Sequence, residues 1–186
     1  TNYTKQIKVK NTLNFLTNCA SEHRNNIDTT IIAITGSCGK TSLKDLLSST
    51  LNEFKRTSCS KKSYNNKFGV PLSLFNFNQK DTFGVLEVGM DKKGEIDYLS
   101  NIIKPDVGVI TNVSYAHIKN FKNISEIAAA KGEIINNIKD NGSIVLNADD
   151  KFYNFHKFLA LKKGLKVYNF SYNKKNTTVN LKKIVK

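Results

Sequence analysis

The sequence predicts an α/β fold of three layers, in which a mostly parallel sheet is covered by helices on both faces. Short all-apolar runs, such as residues 31–34 and 83–88, alternate with segments whose apolar residues recur every three or four positions. Apolar runs of this length are typical of strands that are buried on both faces. A glycine-containing turn joins the first run to a helical pattern that begins at Lys40. Strands that alternate with helices in this way form parallel sheets.

The individual elements follow in order along the chain. Helices are predicted at residues 7–24, 40–54, 95–103, 125–138 and 151–163. Strands are predicted at residues 31–34, 83–88, 107–111, 143–146 and 166–170. Pro105 ends the helix before it, because proline restricts the residue that precedes it. The last stretch, residues 171–186, is expected to form antiparallel strands around Thr178, Val179, Leu181, Ile184 and Val185.

Composition and cysteine content place the chain among cytoplasmic proteins without a membrane span. The 186 residues are 39% hydrophobic, a fraction that is ordinary for a globular domain. No apolar run approaches the roughly 18 residues that a spanning helix needs, and the first ten residues lack the apolar core of a signal peptide. Cys19, Cys38 and Cys59 are far apart and odd in number, which predicts free thiols and no zinc site.

A formal net charge of +14 raises the possibility of nucleic-acid binding, because clustered lysine and arginine neutralise phosphates. The basic residues are nearly all lysines spread along the chain, and Arg24 and Arg56 are the two arginines. Proteins that read bases depend on arginine for bidentate contacts. A lysine-rich surface without a nucleic-acid partner is therefore the favoured interpretation, and nucleic-acid binding stays open as a weaker alternative.

The strongest local motif is a phosphate-binding loop between the first predicted strand and the helix that follows. Residues 35–42 read Thr-Gly-Ser-Cys-Gly-Lys-Thr-Ser. Glycines allow backbone N–H groups to turn around phosphate oxygens, a helix N-terminus favours negative charge, and the Lys and Thr side chains serve the phosphates and Mg²⁺. The predicted nucleotide-binding residues are Gly36, Ser37, Cys38, Gly39, Lys40, Thr41 and Ser42. Ile34 stands where the common phosphate loop has its first glycine, so this loop is a shorter variant. Because Cys38 lies within the loop, we expect alkylation of its thiol to weaken ATP binding.

Polar residues at the ends of two buried strands extend this prediction. Glu87 ends an apolar strand, where a carboxylate is costly to bury without compensation. Because ligands of open α/β sheets bind beyond the carboxyl ends of the strands, Glu87 is predicted to be a Mg²⁺ ligand. Asn112 and His117 follow another strand. For His117, a ligand role and an ordinary loop histidine are equally compatible with the sequence.

Lys131 lies on the core-facing stripe of the predicted helix 125–138. It shares this stripe with Ile127, Ile134 and Ile138, at spacings that place all four on one helical face. The lysine stem could lie along apolar surface with its amine in water. Alternatively, burial could lower the pKa of the amine and allow it to react with CO₂ to form a carbamate, an anionic oxygen ligand. The residues by themselves favour the first interpretation, and the second stays open as the alternative.

Six segments together resemble the Mur ligase family of cell-wall enzymes. They are residues 35–42, Asn65-Asn66-x-x-Gly69-Val70-Pro71-Leu72, residues 87–90 with 94–96, residues 105–112 with His117, residues 130–134, and Asn147-Ala148-Asp149-Asp150. The resemblance covers roughly residues 10–170 and implies a central ATP-binding domain with a phosphate-loop NTPase-like fold. It implies that residues 1–28 are a lead-in helix and linker from an N-terminal domain, and that residues 29–186 are a central domain truncated at its C-terminal end. A fragment of this kind is not expected to be active alone.

The resemblance also implies an activity, for which the member that joins D-alanyl-D-alanine to UDP-N-acetylmuramoyl-tripeptide is the nearest pattern. This reaction consumes ATP, requires Mg²⁺, proceeds through an acyl phosphate and is carried out by a monomer. The resemblance implies catalytic roles for Lys40, Lys131 and His117. It implies that the metal is bound by Thr41, Glu87, His117 and the Lys131 carbamate. Asn65 and Asn66 would bind substrate, and Asn112 would lie beside the nucleotide. Another Mur-type amide ligase, or a stand-alone nucleotide-binding module without ligase activity, remains as an alternative.

Overall fold

The computed structural model describes residues 6–115 and 120–180. The helices are α1 (Thr12–Asn25), α2 (Lys40–Asn52), α3 (Gly69–Leu74), α4 (Glu95–Ile103), α5 (Ile124–Gly132) and α6 (Tyr153–Lys162), and a 3₁₀ turn spans Glu133–Asn137. The strands are β1 (Thr30–Thr35), β2 (Thr57–Cys59), β3 (Phe83–Glu87), β4 (Val107–Ile110), β5 (Ser143–Asn147), β6 (Lys166–Ser171) and β7 (Val179–Asn180).

The seven strands form one sheet in the order β2-β3-β1-β4-β5-β6-β7, and all neighbouring pairs are parallel. β1 lies between β3 and β4. After β1 the chain continues to one side of the sheet, and it later crosses to β4 on the other side. The loops beyond the carboxyl end of β1 and its neighbours therefore diverge, which leaves the crevice where ligands of such sheets bind.

Helices cover both faces of the sheet, which confirms the three-layer prediction. On one face α2 packs against the strands, with Leu43, Leu47 and Leu51 on the buried side chains of Ile34, Val85 and Val109. The larger core lies on the other face, where α1, α3, α4, α5 and α6 contribute residues such as Ala20, Leu74, Leu99, Ile127 and Ala160. The central strands are buried on both sides, which explains their continuous apolar sequences.

Polar side chains and glycines define where several helices begin. Asn11 accepts a hydrogen bond from the backbone N–H of Asn14 at 2.9 Å, and Asn123 does the same for α5. α4 begins after Gly94, whose positive φ of 88° is accessible to glycine without strain. These contacts satisfy N–H groups that have no partner inside a helix.

Arg24 attaches α1 to the sheet, although only 2% of the residue is exposed. Its guanidinium donates hydrogen bonds to the carboxylate of Asp106 and to four backbone carbonyls, those of Ile27, Thr29, Ile103 and Lys104. The same Asp106 carboxylate accepts the backbone N–H of Ile31 at 2.8 Å. A buried charge is tolerated only with such partners, and the arrangement joins α1, β1 and the loop before β4.

Four details differ from the sequence prediction. The helix predicted at residues 7–24 begins only at Thr12, after the capping side chain of Asn11, so its predicted start is wrong. The predicted helix 125–138 ends at Gly132 and continues as the 3₁₀ turn, a common way for a helix to finish. β7 pairs parallel to β6, so the antiparallel arrangement predicted around Val179 is wrong, while Leu181, Ile184 and Val185 lie outside the described residues. β2 and α3 were not predicted, because both are short and weakly periodic.

Among the helices that the structure describes, none combines the length and apolar character required to cross a bilayer. The longest of these helices, α1, has 14 residues, whereas a spanning helix needs about 20.

Candidate active site

The phosphate loop lies between β1 and α2, at the crevice in the centre of the sheet. Gly36 has a φ of 148°, and a Cβ atom placed there would lie 1.8 Å from the hydroxyl oxygen of Thr111. Gly39 has a φ of 82° and immediately precedes Lys40, the first residue of α2. Both glycines are therefore required by the backbone, and the loop directs the positive end of α2 into the crevice.

The segment after β4 holds this loop in place. The backbone N–H of Ser37 donates to the carbonyl of Asn112 at 3.0 Å. The Asn112 side chain accepts the N–H of Cys38 and donates to the carbonyl of Cys38, both at 3.1 Å. Thr111 donates its hydroxyl to the same carbonyl at 2.7 Å. Asn112, which the sequence predicted beside the nucleotide, thus fixes the shape of the phosphate loop.

The side chain of Lys40 folds back towards the phosphate loop. Its Nζ donates a hydrogen bond to the carbonyl of Gly36 at 3.0 Å, and the side chain also borders an open cleft. This position leaves the ammonium group beside the phosphate loop. A bound polyphosphate would offer it a stronger, charge-assisted partner than one neutral carbonyl.

Thr41, in the first turn of α2, meets Glu87 at the carboxyl end of β3. Glu87 pairs with Ile34 across β3 and β1, and its Oε2 accepts the hydroxyl of Thr41 at 2.7 Å. Only 2% of Glu87 is exposed. A hydroxyl and a carboxylate oxygen at this separation fit Mg²⁺, which binds through one or two protein oxygens together with water and substrate phosphates.

A metal site built entirely from protein side chains is absent from the residues that the structure describes, since no group of three His, Cys, Asp or Glu residues is close enough to hold an ion. His117 lies outside the described residues. The Thr41–Glu87 pair suits a cation that arrives with a nucleotide. The metal-binding role of His117 stays a prediction.

Lys131 is buried beside the phosphate loop, with 2% of the residue exposed. Burial, together with the positive charge of Lys40, lowers the pKa of the Lys131 amine to about 8, against an opposing contribution from the Cys38 thiol. No hydrogen bond joins its amine to another described residue. This is the buried-amine alternative of the sequence analysis, and the apolar stripe of Ile127, Ile134 and Ile138 is buried as predicted.

Asn65 and Asn66 belong to the loop before α3. Asn65 donates its Nδ2 to the Oε1 of Glu87 at 2.7 Å. The Oδ1 of Asn66 accepts the backbone N–H groups of Phe68 and Gly69, at 3.1 and 3.0 Å. Both residues also line the open cleft, so each has a structural contact in addition to the predicted substrate role.

The cleft beside the phosphate loop has a volume of about 770 Å³. α1, the loop before α3 and residues 89–95 surround it, and Lys40 of the phosphate loop is part of its lining. Its charged lining consists of Lys40, Lys67, Lys92, Lys93, Asp91 and Glu95. Four lysines against two acids make the cleft positively charged, which suits an anionic substrate.

Several residues around the site were missed at the sequence level. Asp150 accepts the backbone N–H of Val113 at 2.7 Å and so anchors the segment after β4. The carbonyl of Ser114 accepts the hydroxyl of Ser37, a predicted residue of the phosphate loop, and the backbone N–H of Ser114 donates to the same hydroxyl oxygen. The buried ring of His156 lies at the carbonyl of Ala128, one turn before Lys131, and burial lowers the pKa of His156. Of these, only Asp150 carried a sequence signal, as part of the segment 147–150.

Comparison with known proteins agrees with this geometry. A family model described as the Mur ligase middle domain matches residues 34–186. The chain belongs to the Mur ligase family. The seven-stranded parallel sheet and the phosphate loop are thus those of a Mur ligase middle domain.

Individual relatives and solved structures show which members of the Mur ligase family this chain is similar to. The chain is 39% identical over 172 residues to the UDP-N-acetylmuramoyl-tripeptide–D-alanyl-D-alanine ligase of Buchnera aphidicola from Acyrthosiphon pisum, covering 91% of this chain and 37% of that protein. It is 30% identical to the ligase of the same name from Escherichia coli, covering 92% and 38%. Crystal structure II of MurF from Acinetobacter baumannii has a TM-score of 0.86 at 31% identity, covering 94% and 37%.

MurF ligase from Thermotoga maritima, whose structure is a complex with ADP, has a TM-score of 0.82 at 28% identity and covers 94% of this chain and 40% of that one. The chain therefore spans somewhat more than a third of the length of each of these four ligases.

Proposed function

We propose that this chain is the ATP- and Mg²⁺-binding part of a ligase that joins D-alanyl-D-alanine to UDP-N-acetylmuramoyl-tripeptide. One observation carries the proposal: the phosphate loop, the Thr41–Glu87 pair and the buried amine of Lys131 converge at one rim of the sheet, beside a positively charged cleft. The names of the similar ligases supply the reaction.

In the proposed reaction, the carboxylate of the tripeptide attacks the γ-phosphate of ATP and releases ADP. The amine of D-alanyl-D-alanine then attacks the carbonyl carbon of the acyl phosphate, and phosphate leaves as the amide forms. Both partners of the first step are anions, so the site must supply positive charge. A nucleotide-bound Mg²⁺ would neutralise phosphate charge when held by Thr41 and Glu87.

The remaining groups of the chain have roles that follow from their positions. The N–H groups of Gly39 and of the first turn of α2 would surround the phosphates, because those of Ser37 and Cys38 donate to Asn112. The Nζ of Lys40 would move from the Gly36 carbonyl to a phosphate oxygen. Asn112 would keep the loop in this shape. The cleft lined by Asn65 and Asn66 would receive the peptide.

Lys131 is proposed to act as a carbamate. A pKa of about 8 leaves a substantial neutral fraction of the amine near neutral pH. The neutral nitrogen can attack the carbon of CO₂ and lose a proton, which replaces a cation by an anionic group with two oxygens. Together with His117, this group would orient a second cation next to the acyl phosphate.

The proposal is tested at two levels. The 186-residue chain should bind ADP more tightly with Mg²⁺ than without it, and Glu87→Gln should remove this difference while leaving metal-free ADP binding unchanged. The full-length gene product should convert ATP to ADP only when the muramoyl tripeptide is present, and should release phosphate and form the amide only when D-alanyl-D-alanine is added as well. Phosphate release that ignores both substrates would instead indicate a nucleotide-binding module without ligase activity.

A further inference from the structure

Both carboxylate oxygens of Glu87 are engaged by side chains from different parts of the chain. Oε2 accepts the hydroxyl of Thr41 at 2.7 Å, and Oε1 accepts the Nδ2 of Asn65 at 2.7 Å. Because an ionised carboxylate only accepts hydrogen bonds, the Asn65 amide must present its NH₂ group to Glu87. Hydrogen bonds to charged acceptors of this length are among the stronger ones in proteins.

Asn65 has little freedom to leave this position. Its backbone carbonyl accepts the N–H of Gly89, two residues beyond Glu87, at 2.8 Å. A Cβ atom at position 89 would lie 2.9 Å from the Cγ of Asn65, so the amide packs directly on the backbone at the end of β3. The side chain is thus held between the carboxylate and the strand that carries it.

The loop that carries Asn65 is itself anchored to the phosphate-binding helix. The buried ammonium of Lys44, one turn after Thr41 on α2, donates to the carbonyls of Ser60 and Lys62 at 3.0 and 2.9 Å. α2 therefore supplies Thr41 to one oxygen of Glu87 and fixes the loop whose Asn65 binds the other oxygen. Each oxygen of the Glu87 carboxylate is therefore held by a side chain whose position depends on α2.

We propose that Asn65 is a positioning residue for the metal, which acts by holding Oε1 of Glu87 so that Oε2 and the Thr41 oxygen face the same point. The inference rests on the proposed Mg²⁺ site. It adds to the proposed peptide contact of Asn65, because the same side chain borders the cleft. Residues that hydrogen-bond to a metal ligand fix its orientation, and their mutation typically lowers metal affinity by about 10- to 100-fold.

The test uses Mn²⁺ as a spectroscopic substitute for Mg²⁺. The 186-residue chain is titrated with Mn²⁺ in the presence of ADP, and bound metal is measured by electron paramagnetic resonance at constant pH. Asn65→Leu keeps the approximate volume of the side chain but cannot donate a hydrogen bond, and Asn65→Ala is the smaller second variant. Asn76→Ala is the matched control, because Asn76 is an exposed asparagine whose side chain donates to the carbonyl of Leu72, away from the site.

Both Asn65 variants should bind Mn²⁺ about 10- to 100-fold more weakly than the wild type and alter the spectrum of the bound ion, with ADP affinity in EDTA unchanged. Asn76→Ala should match the wild type. Mn²⁺ affinity within twofold of the wild type in either folded variant would overturn the positioning role. So would an equal loss of ADP affinity in EDTA, since that indicates a collapsed loop. A wild-type chain that binds no Mn²⁺ with ADP would overturn the proposed function itself.

Discussion

Replacing Lys131 by methionine should make the chain more stable at neutral pH, and this gain should shrink as the pH rises. The amine is buried, and its pKa is about 8 in the folded chain against an ordinary 10.5. Burying the protonated form therefore costs free energy. Methionine has a similar length and carries no charge, so it removes this cost while filling the same space.

The magnitude follows from the two pKa values. A difference of about 2.5 between 10.5 and about 8 corresponds to about 3 kcal/mol, at 1.36 kcal/mol for each pKa unit. Below pH 8 the folded and unfolded chains are both protonated, and the folded chain bears the full cost. Between pH 8 and 10.5 the folded chain has released its proton while the unfolded chain still binds one, so stability rises with pH. About 2 kcal/mol of the cost should disappear between pH 7 and pH 9.5.

The assay is urea unfolding followed by circular dichroism, at pH 7 and pH 9.5, in buffers purged of CO₂ so that the amine stays unmodified. The free energy of unfolding of Lys131→Met, minus that of the wild type, should fall by about 2 kcal/mol between the two pH values. Lys157→Met removes an exposed lysine and controls for the change in net charge. A difference that stays constant with pH would refute the reasoning about the buried amine.

Three further predictions follow from the fold and the loop. Arg24→Met should lower the free energy of unfolding by about 3 kcal/mol because it leaves buried acceptors unpaired. Lys139 is an exposed ion-pair partner of the same Asp106, so Lys139→Ala should lower the free energy of unfolding by less than about 1 kcal/mol. Equal losses for the two variants in urea unfolding would contradict this prediction. Alkylation of the exposed thiol of Cys38 should weaken ATP binding more than about tenfold, and unchanged affinity measured by calorimetry would disprove it. Gly36→Ala should abolish measurable ADP binding because its Cβ would overlap the Thr111 hydroxyl, and wild-type affinity would exclude the described loop shape.

Local patterns in the sequence were sufficient for most of the fold. The strand and helix periods predicted α4 with its observed bounds and β1, β3, β4, β5 and β6 to within two residues. The phosphate loop was evident because glycines, a lysine and a threonine must stand at fixed spacings there. Glu87 and Lys131 could be singled out because each is an ionisable residue within an apolar period.

The pairings that complete the site depended on the tertiary structure. Asn65 meets Glu87 across 22 positions of the sequence, Asp150 meets Val113 across 37, and Arg24 meets Asp106 across 82. Such contacts are set by the order of strands in the sheet and by which loops share its carboxyl edge. A helix or strand period reports only on neighbours within a few residues, so it can identify a buried carboxylate or amine but not the side chain that will hold it.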